Sequence, residues 1–175
     1  MCGIIAVVRR RSARAVPSRD DILSLVVGVT EELRAVDLES AEAPLRSAGD
    51  RLHEADRLLR GTPGLRALLA DSGLAGAIRS EISALNGLLD SLEGQLDAQA
   101  TVDSLDLEAV NAVLIGVRDA AWNIERDRLR AAEVVADLGG RDLHGAGIDA
   151  IFSIHQALSA LDRICLLYTS DAADE

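Results

Sequence analysis

Between Ser72 and Gln99 the residues Ile82, Leu85, Leu89, Leu92 and Leu96 recur at alternating steps of three and four. Only a helix brings residues at that spacing onto one side, and the alternation is the seam of a coiled-coil-like hairpin. The stripe therefore predicts a long helix over 72–99 packed against a second one. Composition points the same way. Apolar residues make up 49% of the chain, yet Trp122, Phe152 and Tyr168 are its only aromatics. Leu, Ala, Val and Ile must fill the core, and these pack readily as helical stripes in which Ala permits close approach. The expected fold class is mainly α, with antiparallel helical hairpins or a bundle and one short N-terminal strand.

The strand is Gly3–Val8, a continuous apolar run (GIIAVV) of the kind buried on both faces. A loop with Pro17 follows. Ser18 is placed to cap a helix over Arg19–Val36, with Asp20 and Asp21 in its first turn. A second helix is expected over Ser40–Arg60. Gly61-Thr62-Pro63 then breaks the chain, Thr62 reading as an N-cap and Pro63 as the first residue of a short helix ending near Ala70. After the long helix, another covers Asp106–Leu138 with Val110, Leu114, Val117, Ala121, Ile124, Val135 and Leu138 on one side, and Gly139-Gly140 ends it. A last helix over Gly147–Ile164 carries Ile151, Ile154, Leu158 and Leu161 on one face. No fixed-period repeat is visible.

The net charge of −11 argues against nucleic acid or an anionic membrane surface as the main partner. All 18 basic residues are Arg, which GC-rich codon usage explains. The run Arg9, Arg10, Arg11 and Arg14 reads as a solvated strand end in preference to a phosphate patch. Two cysteines, Cys2 and Cys165, make no disulfide framework. Ile4–Val8 is too short for a signal sequence, and no apolar run reaches the length of a membrane span, so the expected compartment is the cytoplasm. His53, His144 and His155 are far apart and fit no metal-ligand spacing. The glycines at 139, 140, 145 and 147 lack the preceding strand and following Lys of a phosphate-binding loop. Glu31 and Glu32, like Asp20 and Asp21, read as solvated helix residues.

Cys2 is the candidate catalytic residue. Removal of Met1 would leave its thiol beside a free α-amine, whose ordinary pKa of roughly 7.7–8.0 suits a general base near neutral pH. Nucleophile and base then belong to one residue. Taken alone, a Cys at this position is more often a small apolar residue without a role. The whole string, MCGIIAVV, resembles the opening of class II (N-terminal-nucleophile) glutamine amidotransferases. In these, Met-Cys-Gly-Ile leads directly into the first strand of an αββα sandwich. That resemblance implies Cys2 as the nucleophile, a γ-glutamyl thioester intermediate, and release of ammonia from glutamine without a metal or organic cofactor.

A second stretch, QALSALDRI from Gln156 to Ile164, resembles the helix that precedes an RG-DSAG motif in glutamine–fructose-6-phosphate aminotransferase (glucosamine-6-phosphate synthase). The implied acceptor is fructose 6-phosphate, and the resemblance leaves room for a homo-oligomer. The expected organisation is a first amidotransferase strand in 1–11, an inserted helical region in 12–146, a helix leading back into the amidotransferase domain in 147–164, and a foreign tail in 165–175. That tail, CLLYTSDAADE, is what a transposase-type sequencing adapter gives when translated, so the natural sequence is expected to depart after Ile164. The family's glutamine-binding Arg, oxyanion-hole Asn and Gly, and substrate-binding Asp lie beyond the junction and match nothing here. A nucleophile without its oxyanion hole is a poor catalyst, so the chain as given is expected to be inactive. The alternative reading is a helical interaction module in which Cys2 has no catalytic role.

Overall fold

The computed structural model describes residues 13–99 and 107–137, together with Gly147 and Ala150. The expected strand at Gly3–Val8, the helix at Gly147–Ile164 and the 165–175 tail lie outside the described residues. Within them all regular structure is helical, in the order α1 (Arg19–Leu33), α2 (Glu42–Leu59), α3 (Gly61–Ala70), α4 (Leu74–Gln99), α5 (Leu107–Asn123) and α6 (Arg130–Val135). A single 3₁₀ turn, Leu38–Ser40, precedes α2, and π-helical turns over Ile124–Leu129 join α5 to α6 as one rod.

The helix starts follow local chemistry. Ser18 and Asp21 form a reciprocal capping box, each side chain accepting from the other's backbone N–H at 3.1 and 3.0 Å. The first helix stops at Leu33, short of the expected Val36, because Asp37 opens a new turn by accepting from the Ser40 N–H at 3.1 Å. Thr62 does not cap α3. That helix begins at Gly61, whose φ of 74° ends α2 and turns the chain at once into α3. Gly64 sits in the same tight corner, where a Cβ would run into the backbone of Leu59.

Helices α1, α2, α5 and α4 surround one core in that spatial order, each packed against the next and α4 closing back on α1. Paired contacts fix their directions. Glu32 receives a hydrogen bond from Ser47, while Arg51 lies beside Gly28, so α1 and α2 are antiparallel. Arg79 pairs with Glu133 and Arg118 with Glu93, so α4 runs antiparallel to the α5–α6 rod. Gly49 faces Val117, which a Cβ at that position would meet, and Asp56 pairs with Arg128, so α2 and the α5–α6 rod run the same way. Two antiparallel hairpins thus lie side by side with like-directed helices as neighbours. This order requires the chain to cross the bundle diagonally from α2 to α4, and α3 makes the crossing. Ten residues of helix span roughly 15 Å, close to the ~14 Å diagonal of four helices set about 10 Å apart.

The core is aliphatic. Ile82, Leu85 and Leu89 of the α4 seam are fully buried, as are Ile22, Val26 and Val29 of α1 and Leu45 and Leu52 of α2. The α5 stripe runs as expected from Val110 to Ile124. There the π turns intervene. The next fully buried side chain is Leu129, one residue later than uninterrupted α-helical spacing would place it. The extra residue swings Arg128 out of the core seam and toward α2.

Candidate functional site

Cys2, the expected nucleophile, lies outside the described residues, as do Arg9, Arg10, Arg11, His144 and His155. His53 is an exposed residue on α2. Among the described residues no group of three or more His, Cys, Asp or Glu side chains is arranged to hold a metal ion, and no helix is long and apolar enough to cross a membrane.

The most concentrated chemistry lies where α2 ends. Among the described residues Asp56 is the charged residue that is buried, with 7% of its surface exposed. Its carboxylate accepts from Arg128 Nε at 2.6 Å and Nη2 at 3.3 Å, and from Arg60 Nη2 at 2.6 Å. Burial pushes its pKa up, but the hydrogen bonds from Arg128 and Arg60 and their charges outweigh that and hold it below the ordinary carboxylate range. Arg128 reaches Asp56 because the π turns shift it sideways. The helical spacing of the sequence does not signal that shift, although the polar run Glu125–Arg128 between Ile124 and Leu129 is its trace.

Arg14 adds the third side of this corner. Its guanidinium donates to the carbonyl oxygens of Arg57, Leu58 (3.0 Å) and Arg60. These lie in the last turn and at the C-cap of α2, where carbonyls leave the α-helical ladder and the helix dipole favours a cation. The expectation that Arg14 is simply solvated is therefore corrected: it fastens the segment preceding α1 to the end of α2. A cavity of about 10 Å³ lined by Leu59, Leu65, Leu68, Asp127, Arg128 and Ala131 lies nearby, with room for at most one water. That cavity has no room for a substrate-sized molecule, and the Asp56 carboxylate is held ionised by two arginines. What the corner can do chemically is join α2, the α5–α6 rod and the N-terminal segment.

Elsewhere several charges are paired on the surface. An open groove along α2 is lined by Ser40, Glu42, Arg46, Ser47, Asp50 and Arg51, and there Arg46 pairs with Glu42 at 2.6 Å and Arg51 with Glu32 at 3.5 Å. Arg19 and Asp71 tie the start of α1 to the α3–α4 turn at 2.6 Å. Asp71 lies below its ordinary pKa, first through the Arg19 hydrogen bond and then through the Gly73 N–H. No family model, curated protein or solved structure matches this chain significantly.

Proposed function

We propose that the chain is the N-terminal part of a glutamine-dependent amidotransferase of the glutamine–fructose-6-phosphate aminotransferase type, into which a helical bundle has been inserted. The string MCGIIAVV carries this reading. In it, the Cys2 thiolate attacks the side-chain amide carbon of glutamine after its proton passes to the α-amine. As the adduct collapses, the α-ammonium group returns that proton to the departing nitrogen, which leaves as ammonia, and a γ-glutamyl thioester remains. Water then releases glutamate, and the ammonia goes to a sugar phosphate. The reaction needs no metal or organic cofactor, nucleic acid or membrane, and suits the cytoplasm.

The bundle is compatible with an insertion. Its core, from Ile22 to Val135, draws on all six helices. Arg14 fixes the chain that enters it from that segment.

The genomic reading frame beyond Ile164 tests the proposal, which requires an RG-DSAG-like motif directly after Asp162-Arg163-Ile164. A frame that continues as helical heptads sinks it. For the protein that such a frame encodes, the glutamine analogue 6-diazo-5-oxo-norleucine should label Cys2, and Cys2→Ala should abolish labelling. A second reading, a helical interaction module without a role for Cys2, is favoured by the outward apolar residues Ile115 and Trp122 of α5. It predicts no labelling.

A further inference from the structure

The outer face shared by α4 and α5 exposes large apolar side chains beside a row of small residues. Ile115 and Trp122, two turns apart on α5, are 49% and 52% exposed. Beside them, the outward side of α4 presents Gly76, Ser80, Ser83, Gly87, Ser91 and Gly94, all exposed. A Cβ at Gly76, Gly87 or Gly94 would meet nothing within 4 Å. The bundle itself gives no packing reason for these glycines, each of which weakens the helix relative to Ala. Their absent side chains allow another backbone to come close.

The spacing and the charges select the partner. The stripe is nearly palindromic about Leu85. If a second α4 is laid antiparallel on the first, Gly76 stands level with Gly94, Ser83 with Gly87, and Ser80 within one residue of Ser91. On the flank facing α5, Arg79 comes within one residue of the partner copy's position for Asp90, in both directions at once. Arg79 is already paired with Glu133 and Asp90 with Arg118, and all four groups are partly exposed. Across the two-fold axis these pairs would extend into mixed-charge clusters. Trp122, one turn beyond Arg118, is level with Asp90 on α4, so the two Trp122 side chains would flank the contact, one on either side of the axis. A patch in which residue i meets j while j meets i is the requirement for a closed two-fold contact.

We propose that this face is the interface of a homodimer in which two copies pack α4 against α4, antiparallel, with Ile115 and Trp122 flanking the contact. This does not depend on the amidotransferase reading. The test is sedimentation equilibrium of the full chain over a dilution series, with circular dichroism as the check on folding. The wild type should be dimeric. Gly87→Arg, whose side chain starts in open space, should keep its helicity and weaken the dimer at least tenfold. Arg79→Asp should weaken it as well, and the charge-swapped double variant Arg79→Asp/Asp90→Arg should recover it. Trp122 emission should shift to longer wavelength as the dimer dissociates. A wild type that stays monomeric at hundred-micromolar concentration overturns the proposal. So does a dimer indifferent to Gly87→Arg, or one that the charge swap fails to restore. A monomer whose Trp122 emission is already that of a buried indole also overturns it, since another segment of the chain would then cover the face.

Discussion

Replacing Asp56 by Asn keeps the shape of the side chain and removes its charge. In the bundle the carboxylate is 11% exposed and joins Arg128, itself 19% exposed, to Arg60, which is 65% exposed. The Arg60 contact is close to a surface ion pair and contributes ~0.5 kcal/mol. The Arg128 contact is a charge-assisted pair largely removed from water, in the range of about 1.5–3 kcal/mol. Its loss leaves a mostly buried guanidinium facing a neutral amide. Together these give an expected destabilisation of roughly 2–3 kcal/mol. Urea unfolding followed by circular dichroism would read this as a lower midpoint at unchanged slope. A cycle with Arg128→Ala and the double variant isolates the pair, and should return a coupling of ~1–2 kcal/mol. The pH dependence gives a second reading. The folded-state pKa of Asp56 is depressed, so its contribution is full above the unfolded value of about 3.9 and is lost as pH falls through the folded one. The stability gap between wild type and Asp56→Asn should therefore begin to narrow as pH falls below about 4 and close only below the depressed folded-state value. An Asn variant within ~0.5 kcal/mol of wild type at neutral pH, or a cycle with no coupling, would refute the view that this carboxylate ties α2 to the α5–α6 rod.

Two other perturbations separate tight backbone contacts from open ones. Gly64→Ala must push a methyl group into the backbone of Leu59 and should cost about 3 kcal/mol or more in urea unfolding. Gly116→Ala on α5 meets nothing within 4 Å and should instead raise stability by ~1 kcal/mol. Ser18→Ala removes one half of the α1 capping box and should lower stability by about 1 kcal/mol, with faster amide exchange confined to the first turn of α1.

Of the corner that concentrates the buried chemistry, little was legible beforehand. Asp56 and Arg60 are four residues apart, and such a pair can be read from helix spacing. Arg128 is not in reach of that logic, because its direction depends on the π turns, and their trace in the sequence, the polar run between Ile124 and Leu129, does not say which neighbour the displaced side chain meets. Arg14 was misread for a related reason. Its partners are backbone carbonyls, which every residue carries and no sequence pattern distinguishes. The direction of Cys2 chemistry rests wholly on sequence resemblance and on the pKa of an α-amine, neither of which the bundle touches.

The sequence by itself determined the helices and their inward faces. The three–four spacing of Ile82 to Leu96 and of Val110 to Ile124 is a property of one helix at a time, so it survives without knowledge of any neighbour. Only the tertiary structure decided which helix lies beside which. Every stripe here is Leu, Ile, Val and Ala, and burial is nondirectional, so one aliphatic face suits another. What broke that equivalence was geometry at α3: Gly61 and Gly64 let the chain turn sharply, and ten helical residues carried it across the diagonal. α2 was thereby set beside α5, and Asp56 within reach of Arg128.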